Sequence, residues 1–202
     1  MVLNFLLVLL LSVICQFDGL ATTTIMARQA RNSQLVDDET SQAIKGLASR
    51  DDETREQSQK RLLEIAKSST ASRGRVIRDL IGLLEAPGTR FNTWSAATEI
   101  LGELKSTEAL DSLVKHLDKN DGTAGLSSSH FPALRAVINI GQPAVPKLAT
   151  ALFKSKPSIR RLAAQGLGTI GGKQAKDTLE RALKTEKDEQ VVWAIRTALS
   201  GK

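Results

Sequence analysis

Leucines recur at one spacing in four segments of the chain. Each segment is nine residues long and carries leucine at its fifth and ninth places. The segments are Val76–Leu84, Ala109–Leu117, Ala144–Leu152 and Ala175–Leu183, and their fifth-place leucines stand 33, 35 and 31 residues apart. Because side chains four residues apart share one face of an α-helix, each segment predicts an amphipathic helix whose leucines enter a common core.

A second kind of segment, richer in small residues, alternates with the leucine segments. Its copies are Gln57–Lys67, Thr93–Leu104, His130–Gly141, Ile159–Ile170 and Val191–Ser200. Helix pairs repeated at about 30 to 35 residues are typical of stacked repeat architectures. We therefore expect residues from about Asp38 to Ser200 to be helical throughout, in roughly ten helices and without a sheet.

One repeat carries the pattern most completely. It has a branched residue and an arginine at its start, an alanine-rich first helix ending in Leu-Gly, a short turn, and a second helix with spaced leucines. The matching residues are Ile159, Arg160, Ala163, Ala164, Leu167, Gly168, Ile170, Gly171, Ala175, Leu179 and Leu183. In these residues the chain resembles the HEAT-repeat family, in particular its short bacterial form first met in phycobilisome lyases. The resemblance spans about Gln57–Ser200. It implies an all-α, armadillo-like fold: a right-handed α-solenoid of about four to five stacked antiparallel helix pairs over residues 39–202.

The glycines of this repeat predict a close helix contact. Glycine inside a helix costs about 0.5–1 kcal/mol relative to alanine, so a packing requirement must offset it. We expect Gly166 to lie where two helices cross closely, and Gly168, Gly171 and Gly172 to end the first helix and reverse the chain. A phosphate-binding glycine loop would follow a β-strand, and no alternating strand pattern precedes these glycines.

The N-terminus predicts a secretory signal. Residues 2–15 form an apolar run of the length of a signal-peptide core, and small residues follow at 19–21. We expect residues 1–21 to be cleaved and residues 22–38 to form a polar tether, which makes the protein exported, either periplasmic or secreted. An uncleaved N-terminal membrane anchor is the alternative. Cys15 is the only cysteine, so the mature chain would have no thiol chemistry.

The charge of the chain is basic but mixed in sign. The formal net charge is +6, and the sequence pI is about 9.6. Lysine and arginine alternate with carboxylates along the predicted helices, as on solvated surfaces. An exported basic protein is expected to meet an acidic protein partner or an anionic envelope surface, and specific nucleic-acid binding is not expected.

Residues with the pattern of a catalytic or metal site do not emerge from the sequence. His116 and His130 are the only histidines, and neither has a metal-ligand spacing. We interpret His116 as a surface residue. The serines at 127–129 next to His130 have no positioned acid, and the chain has no G-x-S-x-G motif. The carboxylates at 37–39 and 51–53 are expected to begin helices. We therefore predict no enzyme activity and no cofactor.

Enzymes with this repeat are the alternative function. A phycobilin lyase-type protein would need a tetrapyrrole cavity, and a deoxyhypusine hydroxylase binds iron through His-Glu pairs, which this chain lacks. A nucleic-acid-binding relative of the DNA glycosylase kind would use aromatic residues, for which Trp94 and Trp193 are candidates. Tryptophans at these places more often pack against loops or cap an end.

The predicted binding surface follows the second helices, which line the concave face in this architecture. Two rows of equivalent outward positions cross the repeats. One row is Asp79, Ser112, Lys147 and Thr178, and the other is Gly82, Lys115, Thr150 and Arg181. The rows are polar and mixed in sign, which favours a protein–protein contact, with a solvated face that binds nothing as the alternative. The candidate protein-binding residues are Asp79, Ser112, Lys115, Lys147 and Arg181, and the predicted function is a non-catalytic exported adaptor or scaffold.

Overall fold

The computed structural model describes residues 26–31, 34–120, 122 and 130–201, and within these ranges the chain is helical without a strand. The predicted signal peptide, residues 1–21, lies outside the described residues, as do the serines at 127–129. Among the described residues, no helix has both the length and the apolar character needed to cross a membrane.

Nine α-helices follow one another between residues 52 and 200 of the described chain. They are α1 (Asp52–Ser68), α2 (Thr70–Glu85), α3 (Phe91–Glu103), α4 (Leu110–Lys115), α5 (Pro132–Ile140), α6 (Val145–Lys154), α7 (Pro157–Ile170), α8 (Lys173–Leu183) and α9 (Glu189–Ser200). A 3₁₀ turn, Gln142–Ala144, leads into α6. The odd-numbered helices are the first helices of the predicted pairs and the even-numbered helices are the second helices. The predicted α-solenoid is confirmed.

The N-terminal unit, residues 1–42, is helical in its described parts. Residues 26–31 and 34–42 are α-helical, so the described part of the predicted tether at 22–38 has regular structure. Good helix formers such as Met26, Ala27 and Leu35 explain this, because helix propensity does not require an apolar face. The carboxylates at 37–39 lie inside this helical segment rather than at its start, so the prediction that they begin a helix is wrong.

Local capping explains where several helices begin and end. The Asp51 side chain accepts a 2.8 Å hydrogen bond from the backbone N–H of Thr54 and begins α1, which confirms the predicted role of this acidic group. Ser69 accepts a 3.0 Å hydrogen bond from the N–H of Ser72 at the start of α2. Gly171 has φ +68° and ends α7, a conformation that glycine adopts without strain.

The recurrent leucines form the core, as predicted. The fifth-place and ninth-place leucines from Leu80 to Leu179 are buried, with at most 2% of each side chain exposed. Leu183 is half-buried and is the last residue of α8. Burial of each such leucine stabilises the fold by about 1.5–3 kcal/mol.

First helices approach one another closely at two glycines. A Cβ on Gly168 would lie 2.5 Å from Ala198 Cβ and 2.9 Å from its Cα, and a Cβ on Gly102 would lie 2.8 Å from Ala136 Cα. The α7–α9 and α3–α5 crossings therefore require glycine.

The predicted roles of Gly166 and Gly168 need correction. A Cβ on Gly166 would meet only the side-chain ends of Leu148 and Leu134, at 3.1 and 3.2 Å. Gly168 lies inside α7 and does not end it. It is at Gly168 that α7 and α9 approach each other backbone to backbone.

Candidate protein-binding surfaces

The lysines of the predicted rows connect successive second helices. Lys115 Nζ on α4 lies 2.5 Å from a carboxylate oxygen of Glu85 on α2, and Lys147 Nζ on α6 lies 2.5 Å from a carboxylate oxygen of Asp111 on α4. The Lys115 ammonium and the Ser112 hydroxyl donate hydrogen bonds to Glu85 and lower the pKa of its carboxyl group. Both lysines remain about half-exposed or more, so each is partly neutralised but accessible.

Arg181 makes the corresponding connection between α8 and α6 through an aromatic ring. Its guanidinium carbon lies 5.8 Å from the centroid of the Phe153 ring, within the range of a cation–π contact. Phe153 is 47% exposed. The described residues provide Arg181 with no carboxylate partner, so this pair presents an apolar ring and an unneutralised cation side by side.

Two members of the predicted rows do not point outward. Ser112 and Thr178 are 9% and 2% exposed. Ser112 donates its hydroxyl hydrogen bond to Glu85, and Thr178 donates to the Gln174 carbonyl at 2.7 Å. The prediction that they are exposed is therefore wrong, because both hydroxyls are buried and hydrogen-bonded within the protein. Asp79 is half-buried and pairs with Arg75 of its own helix at 3.1 Å.

Trp94 and His116 form a ring contact that the sequence did not predict. Trp94 is fully buried, with its ring 6.2 Å from the His116 ring and Lys119 Nζ 4.5 Å from its centroid. His116 Nε2 lies 3.5 Å from a carboxylate oxygen of Glu85, yet neither this atom nor Trp94 Nε1 makes a hydrogen bond in the described part of the chain. Burial lowers the pKa of His116. His116 is therefore half-buried, with 26% of its side chain exposed, rather than a fully exposed surface residue, and Trp94 is not available for stacking.

Trp193 is exposed and borders two cavities on the side of the first helices. Its side chain is 60% exposed. A cavity of about 370 Å³ lies between α7 and α9, and one of about 330 Å³ adjoins it. Arg161 and Trp193 line both. The sequence indicates Trp193 as a candidate aromatic residue but does not predict this groove. The sequence feature that could have indicated the groove is the repeat alignment, in which Trp193 and Arg161 occupy equivalent positions.

An ion pair fixes the turn between α8 and α9 to α7. Arg160 donates to both carboxylate oxygens of Glu186, at 2.8 and 2.9 Å. Glu186 also accepts the N–H groups of Lys187 and Asp188 at 2.9 and 3.0 Å. The side chains of Arg160 and Glu186 are 19% and 10% exposed. The hydrogen bond from Arg160 lowers the pKa of Glu186. The pair holds the last first helix against the preceding repeat.

The net positive charge is confined to one end of the sequence. Residues 154–202 contain eleven Lys and Arg against five Asp and Glu, an excess of six, which equals the excess of the whole chain. The remaining residues balance. Among the described residues, no group of three or more His, Cys, Asp and Glu is placed to hold a metal ion.

Comparison with known proteins supports the repeat fold. Residues 132–200, which contain α5 to α9, match a family model described as HEAT repeats. The predicted resemblance is thus confirmed for this part of the chain. No curated protein sequence matches significantly.

Solved structures with similarity to this chain include repeat proteins. A designed armadillo repeat protein in complex with the peptide (KR)4 is 19% identical, covers 79% of this chain and 80% of its own, and has a TM-score of 0.39. Human deoxyhypusine hydroxylase in complex with glycerol is 16% identical, with 84% and 98% covered and a TM-score of 0.30. A second designed armadillo repeat protein is 15% identical, with 79% and 98% covered and a TM-score of 0.30.

Proposed function

We propose that this chain, whose residues 132–200 match HEAT repeats, is a non-catalytic adaptor that binds an acidic protein surface through its second helices. The observation that carries the proposal is the Phe153–Arg181 pair. An aromatic ring that is 47% exposed lies 5.8 Å from a guanidinium on successive second helices. Aromatic residues and arginine are enriched at the energetically dominant positions of protein interfaces.

The charges around this pair favour an acidic partner. Lys115 and Lys147 are already paired with Glu85 and Asp111, so we expect them to act as rim charges that affect the association rate. Arg181 has no carboxylate partner in the described part of the chain and would gain one from an acidic partner. A charge-assisted bidentate contact of this kind is stronger than a neutral hydrogen bond.

The proposal includes export, which rests on the sequence of residues 1–21. Fusion of these residues to a reporter that is active only outside the cytoplasm tests it. Cleavage and reporter activity would support a secreted or periplasmic protein. Reporter activity without cleavage would support the membrane-anchored alternative, and an inactive cytoplasmic reporter would refute export.

The adaptor role is tested by chemical cross-linking followed by mass spectrometry. The chain from residue 22 is immobilised and exposed to an envelope extract, alongside the Phe153→Ala/Arg181→Ala double variant. Lys154→Ala is the matched control, since Lys154 is exposed next to Phe153. We expect the parent and the control to retain the same proteins, with cross-links on α6 and α8, and the double variant to lose them. Equal retention by all three variants would refute the second-helix surface.

A further inference from the structure

Three equivalent positions of the repeat lie at the starts of successive first helices. Phe131, Arg161 and Trp193 each stand two residues before the matching buried residues Ala133, Ala163 and Ile195. Phe131 is 4% exposed, and the Arg161 guanidinium carbon lies 5.9 Å from its ring centroid. The ring restricts the arginine from one side, while the exposed Trp193 stands on the next first helix.

The groove between α7 and α9 has polar walls. Arg161, Gln165 and Thr169 follow one another at a spacing of four on α7, and Trp193 and Thr197 do so on α9. Side chains at this spacing lie on one helix face. An amide, two hydroxyls and a guanidinium therefore face the cavity together with the indole ring.

The base of the groove is made of small residues. Gly168, Ala194 and Ala198 line the same cavity of about 370 Å³. Because Gly168 and Ala198 bring the two helix backbones together, no large side chain fills the space between the walls. A medium-sized apolar side chain of a ligand fits a space of this kind.

We infer that this groove binds an extended peptide segment in which a Glu or Asp stands beside a Leu or Phe. The carboxylate pairs with Arg161, which has no carboxylate partner among the described residues. The apolar side chain packs on Trp193 and over the small residues at the base, and Gln165 and Thr197 are placed to hydrogen-bond the peptide backbone. Aromatic and arginine side chains are the usual anchors of such contacts. The inference rests on the proposed adaptor function but uses a different face.

Charge distinguishes this occupant from a second copy of the chain. The groove belongs to the segment 154–202, which carries the whole positive excess of the protein. Arg161 lines both cavities, and Glu189 lines only the adjoining one. Two copies meeting at this surface would repel each other, whereas an acidic peptide would be attracted.

A single-stranded nucleic acid fits the groove less well. Among the described residues, Arg161 is the only cation that lines the cavity, whereas a nucleic-acid groove needs a series of cations along the backbone as well as an aromatic platform. The peptide is therefore the favoured occupant.

The test uses the fluorescence of Trp193. The chain has two tryptophans, and Trp94 is fully buried while Trp193 is 60% exposed, so acrylamide quenching reports mainly on Trp193. The probes are ten-residue peptides of Gly and Ser with a central Glu-Phe pair, the same peptide with Lys for Glu, and the same peptide with Ala for Phe. The Glu-Phe peptide is expected to shift the emission to shorter wavelength and to protect Trp193 from quenching, at least tenfold more tightly than either control peptide.

Variants identify the contacting residues. Binding of a fluorescein-labelled Glu-Phe peptide should weaken at least tenfold in Trp193→Ala and in Arg161→Ala, and Arg161→Glu should bind the Lys-Phe peptide instead. Circular dichroism verifies that each variant is folded. If Arg161→Ala proves unfolded, the Trp193→Ala and Arg161→Glu results decide. Phe153→Ala/Arg181→Ala should bind the peptide like the parent.

Several results would overturn the inference. The first is an absence of peptide binding up to the solubility limit, and the second is peptide binding that both groove variants retain. The third is self-association of the parent in sedimentation experiments together with protection of Trp193 from quenching. The fourth is tighter binding of a twenty-nucleotide oligothymidylate than of the peptide. Because the adaptor proposal depends on the second helices, loss of captured proteins in Phe153→Ala/Arg181→Ala with no peptide binding would refute the groove alone. Peptide binding without captured proteins would refute the second-helix surface alone.

Discussion

Replacement of Gly168 by alanine tests the close contact between α7 and α9. The substitution adds one methyl group inside α7, where it faces Ala198 of α9. Gly82 offers a matched control, since it lies inside α2 and a Cβ there would meet no atom within 4 Å. Gly166 is an intermediate case, with only leucine side-chain ends near its added Cβ.

The expected magnitude follows from two opposing effects. Alanine gains about 0.5–1 kcal/mol over glycine inside a helix. At Gly168, however, the new Cβ would lie 2.5 Å from Ala198 Cβ, whereas carbon atoms prefer about 3.5–4.0 Å. The helices would have to separate by roughly 1 Å, and such overpacking costs about 1–3 kcal/mol or more. We expect Gly168→Ala to lose about 1–2 kcal/mol of unfolding free energy and therefore to lower Tm by about 2–8 °C.

The assay is thermal unfolding followed by circular dichroism at 222 nm, with a double-mutant cycle. Gly82→Ala should raise Tm, Gly166→Ala should change it little, and Gly168→Ala should lower it. Ala198→Gly should recover part of the loss in the Gly168→Ala background while it destabilises the parent, because it removes the methyl group that clashes. Equal Tm changes for Gly82→Ala and Gly168→Ala, or a cycle without coupling, would refute the close crossing.

Other residues give further expected outcomes. Glu186→Gln should destabilise the protein by about 1–3 kcal/mol at pH 6, since it leaves the Arg160 guanidinium without its carboxylate. The pKa of Glu186 is lowered in the fold, so its contribution is complete above the ordinary glutamate value of about 4.3 and is lost as pH falls through the lower folded value; the Tm values of parent and variant should converge between pH 5 and pH 2, and a constant difference would contradict this. Ser69→Ala removes the cap of α2 and should cost about 1 kcal/mol in urea unfolding, against a negligible effect of Thr89→Ala, whose hydroxyl bonds an exposed carbonyl. Lys115→Ala breaks only an exposed ion pair and should change stability by less than about 1 kcal/mol; a larger loss would show that the inter-repeat pairs hold the second helices together.

Local patterns explain why so much of the fold could be predicted. Leucines spaced four residues apart in four repeated segments can all be buried only if the helices stack on one another. The structure buries Leu80, Leu113, Leu148 and Leu179 as expected. Which glycine marks the crossing could not be predicted in the same way. Gly166 and Gly168 are both inside α7, and only the position of α9 decides which of them meets a backbone.

The candidate site was less predictable because its contacts join different repeats. The carboxylate partners of Lys115 and Lys147 lie 30 and 36 residues earlier in the sequence, each on the preceding second helix. The helical position of Ser112 predicts an exposed residue, but Ser112 is only 9% exposed and donates a hydrogen bond to Glu85 of α2. Trp193 and Arg161 did share a register in the sequence, yet a groove between them depends on the distance between α7 and α9, which a sequence pattern does not state.

The paired contacts of Gly168 with Ala198 and of Gly102 with Ala136 have a consequence for how such arrays grow by duplication. A glycine in one first helix is matched by a small residue in the following first helix, at the register that Gly166 occupies in its own helix. A copied repeat can join the array behind Gly102 or Gly168 only when it brings alanine or glycine to that place. The two contacts thus restrict which repeats can be neighbours. An inserted repeat with a larger residue at this place would clash with the preceding first helix, whatever its binding surface.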